Sequence, residues 1–262
     1  MTVFERWNRF IRHKSVKVLG NGLKPVFVLH HRLFPHKRYL IPEVSPARRH
    51  RPARGPIPHI VWQTNYSNEV TLSVYANYLF NRWLTPEFEH RYVGDEACDA
   101  FVQDTYPAAV QQAYARLNVG AARADFWRVL VLLKHGGIYL DIDSNFVVPP
   151  AGYLDAGTTE VFLRAGNDEI TNYFIAAAPG HPLLARIADA IRVNIEEGTL
   201  TSVYSMTGPT VVDRIVKASP GTRVEDYRGI CTQGQFTNKR LQYAGKTDGA
   251  WWTEQKMNGI LK

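Results

Sequence analysis

Cysteine is scarce. Among 262 residues there are two, Cys98 and Cys231. So few make no disulfide framework, and without a Cys-x-x-Cys spacing there is no zinc site of that type. Both read as buried apolar fillers in a reducing compartment. Long apolar runs are also missing. Val16 to Leu29 is interrupted by Lys17, Gly20, Asn21, Gly22, Lys24 and Pro25. It lacks the roughly 20 apolar residues of a bilayer span and the continuous core of a signal peptide. Acids are scarce at one end. The first 55 residues hold two, Glu5 and Glu43, against 13 Lys and Arg, whereas the remainder holds 22 acids against 18 bases. The net charge of +7 therefore belongs to the N-terminal segment, not to the body. No internal repeat or low-complexity tract occurs.

What is present suits one domain with an appended segment, since 45% of the chain is hydrophobic and 12% aromatic. Residues 1–55 read as a basic segment and linker, and 56–262 as the folded body. In residues 1–13, Val3, Phe4, Trp7, Phe10 and Ile11 fall at helical spacing with Arg6, Arg9 and Arg12 between them. Such a helix either lies on an anionic membrane surface or docks on the body. Nucleic acid is the weaker option, because no recognition motif accompanies the charge. Residues 44–56 (VSPARRHRPARGP) read as a linker without fixed fold. Removing residues 1–50 is expected to spare the chemistry of the body.

The most informative stretch is Ala121 to Phe146 (AARADFWRVLVLLKHGGIYLDIDSNF). From Ala122 to Leu133 apolar residues lie nearly all round the helix, which predicts burial. A buried helix rarely carries charge without a partner or purpose. Asp125 and Arg128, three apart, share a face, with Arg123 and Lys134 nearly opposite and outside the site. Gly136 and Gly137 end the helix. A strand then alternates: Ile138, Leu140 and Ile142 face one layer, while Tyr139, Asp141 and Asp143 face the other. Two neighbouring carboxylates at a strand exit suit one hard divalent cation, Mn²⁺ or Mg²⁺.

Upstream, IPHIVWQTN reads as a first strand whose exit carries Gln63 and Thr64, where α/β sheets bind ligands. Trp62 reads equally as a base-stacking residue or as core. Helix 70–84 predicts Leu72, Tyr75, Ala76, Leu79 and Trp83 as its buried stripe. Strands are expected at 89–93, 161–164 and 173–177, and helices at 95–105, 107–116 and 182–197. Asn172 is placed before a strand, for a sugar hydroxyl or for a turn. Thr207-Gly208-Pro209 predicts a helix start.

The unit ADFWRVLVLLKHGGIYLDID resembles the DXD sugar-binding region of family 32 glycosyltransferases, of the capsular-polysaccharide and initiating-mannosyltransferase kind. It also resembles the glucosylating domains of large clostridial toxins. The resemblance implies an α/β fold of the GT-A type, a mixed central sheet flanked by helices. It implies a metal-dependent, retaining transfer of a hexose from a UDP- or GDP-linked donor to a glycan or glycolipid acceptor, in surface polysaccharide synthesis. The expected location is cytoplasmic, on the inner face of a membrane. In that reading Asp143 ligates the metal, Asp141 holds the ribose or the metal, Asp125 takes sugar hydroxyls, and Arg128 orients those carboxylates or contacts the sugar or phosphate. Trp62, Gln63, Thr64 and Asn172 approach the donor. YAGKTDGAWWTEQ is similar to the closing H-x-x-x-G-S-W of the family but lacks its histidine and places Ala250 at the serine. Asp248 is the candidate third metal ligand, and Trp251 the residue covering the diphosphate. The competing readings are a metal-dependent phosphohydrolase, which requires more carboxylate or histidine ligands, and a non-enzymatic basic binding module, which leaves Asp125, Arg128 and the two aspartates without purpose.

Overall fold

The computed structural model describes residues 3–243 and 251–262. Apart from a two-residue pair formed by Tyr39–Leu40 and Glu69–Val70, its strands are β1 (Val44–Ser45), β2 (Ile60–Thr64), β3 (Glu89–Val93), β4 (Gly137–Leu140), β5 (Ser144–Phe146), β6 (Glu160–Arg164), β7 (Ile170–Ala177), β8 (Val224–Asp226) and β9 (Cys231–Gln233). Seven of these make one sheet in the order β8-β6-β7-β4-β2-β3-β1. β2, β3 and β4 run parallel, while β1 and β7 run against them. β5 leaves this sheet to pair antiparallel with β9. The expected mixed sheet flanked by helices is what the chain builds.

The main helices are α1 (Val3–Leu33), α2 (Leu72–Leu84), α3 (Gly120–His135), α4 (Pro182–Glu197) and α5 (Pro209–Lys217). Alternation along the strands divides the core. Trp62, Tyr139, Phe162 and Ile175 face α3, α4 and α5. Val61, Ile138, Leu140, Val161 and Phe174 face the opposite layer with Phe88, Phe146 and Ile230. Helix α3 is buried nearly all round, as expected. At the turn after it, Gly136 and Gly137 take φ of +65° and +105°. A Cβ on Gly137 would stand 2.6 Å from the Ile60 carbonyl oxygen, so only glycine lets β4 lie against β2.

Three expectations need correction. First, the strand after Gly137 stops at Leu140. The Ser144 N–H donates to the Asp141 carbonyl at 2.9 Å, so the aspartates sit on a turn and not on the strand. Ile142 accordingly joins a separate cluster with Val74, Tyr78 and Tyr92. Second, α2 buries Ser73, Asn77, Asn81 and Arg82, while Leu79 and Trp83 are exposed. Asn77 donates to the carbonyls of Ile142 and Ser144 at 2.9 and 2.8 Å. Asn81 donates to Ser144 O and accepts from the Phe146 N–H, at 2.9 and 3.0 Å. The polar stripe faces inward because the backbone after the aspartates has carbonyls to satisfy.

Third, the boundary at residues 55 and 56 does not separate a linker from a body. Val44 and Ser45, inside the expected linker, form the edge strand against Arg91 and His90. Helix α1 docks through Val16 and Phe27 onto Phe236 and Leu241, through an Arg9–Glu225 ion pair at 3.2 Å, and through Lys24, which donates to the Gly234 carbonyl at 2.7 Å. Cys98 and Cys231 are buried and free, as expected, and burial pushes the Cys98 thiol up to about 12.

Deleting residues 1–50 should therefore lower the melting temperature or abolish soluble expression, measurable by thermal denaturation. Asn81→Ala takes the side-chain acceptor from the buried Phe146 N–H and one of two amide donors from the Ser144 carbonyl, which keeps Asn77. It should destabilise the fold by about 1–3 kcal/mol in chemical denaturation, whereas Trp83→Ala on the exposed side should be near neutral.

Candidate active site

The site lies beyond the carboxyl ends of the parallel strands, where open α/β sheets hold their ligands. It is a cleft of about 1260 Å³. At its floor is the Arg128 guanidinium, presented by α3. It pairs with Asp125 at 2.8 Å and with Asp141 at 3.2 Å. It also donates to the Asn172 carbonyl at 2.5 Å and lies 4.5 Å over the Tyr139 ring. Burial opposes its charge, but Asp141, Tyr139 and Asp125 hold it protonated. Asp125 accepts from Asn172 Nδ2 at 2.8 Å and from Thr207 Oγ1 at 3.2 Å. Thr207 sits just before α5, so the Thr-Gly-Pro start serves the site as well as the helix.

The Tyr139 hydroxyl donates to Asp141 Oδ1 at 2.9 Å. Gln233, from β9, bridges both aspartates. Its Nε2 lies 3.3 Å from Asp141 Oδ2 and 3.0 Å from Asp143 Oδ1. The two carboxylates are thus gathered around a single point. Burial raises Asp143 to about 7, with the Asp141 charge adding to the effect. Burial raises Asp141 as well, against the pull of Arg128, and lifts Asp125 to about 6. Two carboxyl groups pair with the guanidinium and Asp143 lies beyond them, so negative charge is left over when all three are ionised. A divalent cation at the Gln233 position would neutralise it, with the Gln233 amide turned to present its oxygen. Asp141 and Asp143 fit that ion.

Asp125, Arg128, Asp141, Asp143, Thr64, Asn172 and Trp251 all line the cleft. Asn172 lies within β7 and not before it. Two expected donor contacts do not reach the cleft. Trp62 is core: its indole N–H donates to the Gly136 carbonyl at 2.9 Å and its ring stacks on His135. Alternation then turns Gln63 to the other face, where its amide supports the Asp141 carbonyl at 3.3 Å. Asp248 lies outside the described residues. Arg123, set aside from helical angles, lines the cleft because the cleft extends past the start of α3, where Arg123 pairs with Asp99. Gln233, Thr237 and Tyr243 also line it and no local spacing announced them. For Gln233 and Thr237 only the amide- and hydroxyl-rich composition of CTQGQFTN carried a signal, while Tyr243 opens the YAGKTDGAWWTEQ stretch.

Residues 59–159 match the family described as a glycosyltransferase sugar-binding region containing DXD motif. The chain is 31% identical over 192 residues to an initiation-specific alpha-1,6-mannosyltransferase of Schizosaccharomyces pombe, covering 61% of this chain and 48% of that protein. It is 27% identical over 214 residues to inositol phosphoceramide mannosyltransferase 3 of the same organism, covering 80% and 52%. The chain spans about half the length of these relatives. In fold it is similar to the PaToxG glycosyltransferase, with a TM-score of 0.52, 18% identity, and coverage of 81% of this chain and 80% of that one. That likeness shows the GT-A-type architecture.

The raised carboxyls set a pH dependence. The folded state holds these protons more tightly than the unfolded chain, so their contribution to metal-free stability is full below about pH 4 and is lost as pH rises through about 7. Asp143→Asn should flatten this fall in melting temperature. An unchanged slope in that variant would mean that Asp143 does not carry it.

Proposed function

We propose that this chain, which carries the DXD sugar-binding region of glycosyltransferases over residues 59–159, is a metal-dependent, retaining hexosyltransferase. It takes a UDP- or GDP-linked sugar and passes the hexose to a glycan or glycolipid, in the synthesis of a surface polysaccharide. The observation that carries the reading is the gathering of Asp141 and Asp143 around one point, beside the buried Asp125–Arg128 pair, beyond the carboxyl ends of the parallel strands. The relatives named as mannosyltransferases make mannose the first sugar to try.

Asp125 accepts hydrogen bonds from sugar hydroxyls, and Asn172 and Thr207 fix its orientation. Arg128 holds Asp125 and Asp141 at a set separation and keeps both ionised when donor binds. Asp143, with Asp141, presents carboxylate oxygens to Mn²⁺ or Mg²⁺. The cation supplies neutralisation of the charge that develops on the departing diphosphate. Trp251, at the rim, covers that diphosphate. Retention follows the resembled enzymes, with the acceptor hydroxyl attacking on the face the diphosphate leaves. A phosphohydrolase would want a richer ligand set. Among the described residues no group of three or more His, Cys, Asp or Glu is placed to hold a metal, whereas two carboxylates plus donor phosphate oxygens suffice for a transferase.

Thermal shift tests this directly. UDP or GDP should raise the melting temperature only with Mn²⁺ or Mg²⁺ present; no shift with any pair would refute the reading. Asp143→Ala should remain folded yet lose that shift and all sugar-nucleotide hydrolysis. Arg128→Lys should lower kcat/KM by about tenfold to hundredfold, because an ammonium cannot serve Asp125, Asp141 and the Asn172 carbonyl together.

A further inference from the structure

Helix α1 has two faces of opposite use. His13, Val16, Gly20 and Phe27 turn inward, and a Cβ on Gly20 would stand 2.6 Å from the Gln235 carbonyl oxygen. About half a turn away, Trp7, Ile11, Val18, Leu29 and Leu33 form a second apolar stripe, with Gly22 and Pro25 in line. These five large side chains are between 57% and 74% exposed. Soluble surfaces rarely keep so long an apolar row in water. The flanking charge is of one sign: from Trp7 to Leu33 the helix contains no acid, and Arg12, Lys14, Lys17 and Arg32 are exposed beside the stripe.

We propose that this outer face of α1 docks on an anionic lipid bilayer, lying in its headgroup layer. The charge selects the occupant. A row of cations beside an apolar stripe matches a surface that offers phosphate headgroups above acyl chains, whereas nucleic acid would leave the stripe wet. The helix lies on the surface and does not cross it, for among the described residues no helix is long and apolar enough to cross a membrane.

The placement bears on substrate. His31, in the last turn of α1, lines the cleft that holds Asp141 and Asp143, a turn or less from Leu29 and Leu33 on the stripe. Docking α1 therefore brings one rim of the cleft close to the lipid surface and favours an acceptor anchored there. This last step rests on the transferase reading; the docking itself does not.

The test uses the full chain and vesicles of phosphatidylcholine with or without phosphatidylglycerol, in a sedimentation assay, beside hydrolysis of sugar nucleotides in solution. Binding should be at least about tenfold stronger to the anionic vesicles and weaken with salt. The triple variant Ile11→Glu, Val18→Glu, Leu29→Glu, all at exposed positions, should bind them at least about tenfold more weakly. Its melting temperature and solution hydrolysis should be unchanged. No vesicle binding by the parent chain, or equal binding by the variant, would overturn the proposal. So would a dimer of the parent that the variant abolishes, since the face would then be covered by a second copy. Vesicle binding without any hydrolysis would support the docking face while the transferase reading fails.

Discussion

The site depends on keeping one guanidinium between two carboxylates. Arg128 is buried, and a buried charge is tolerated only when paired and hydrogen-bonded. Asp125 and Asp141 both pair with its Nη2, Asn172 gives it a carbonyl, and Tyr139 gives it a ring face. These partners come from α3, β4 with the turn after it, and β7, so the ion pairs join parts of the chain far apart in sequence. Removing either carboxylate would leave the guanidinium with a single ionic partner in the floor of the cleft. Asp143 stands beyond this clamp, where burial and then the neighbouring Asp141 charge raise its pKa.

Much of this was legible in the sequence because it is local. Helical spacing put Asp125 and Arg128 on one face, the paired glycines marked the end of α3, and the Asp-x-Asp spacing brought two acids together. Those relations hold within a few residues and survive any tertiary arrangement. The strand end was misjudged, yet the carboxylates still met, because a turn at Asp141–Ser144 returns Asp143 to the same side.

The parts that were not legible are set by distant partners. Helix α2 offered two stripes, and hydrophobicity chose the wrong one. The carbonyls of Ile142 and Ser144 needed donors more than the core needed Leu79 and Trp83. Trp62 went to the core because its indole N–H had the Gly136 carbonyl to meet. Gln233 lies some 90 residues after the acids it bridges. The Pro- and Arg-rich run around Val44 concealed a strand because an edge strand of two residues needs almost no pattern of its own.

The strand end that carries Gln233 is also held from outside. Gly234 donates its N–H to the Asp143 carbonyl at 2.8 Å and accepts from Lys24 of α1 at 2.7 Å. Gly20 rests directly on Gln235, without room for a methyl group. The outermost helix and the innermost acids are therefore two ends of one short lever with a glycine as its fulcrum. A shift of the helix against the body is felt at the Asp143 backbone by way of Lys24 and Gly234.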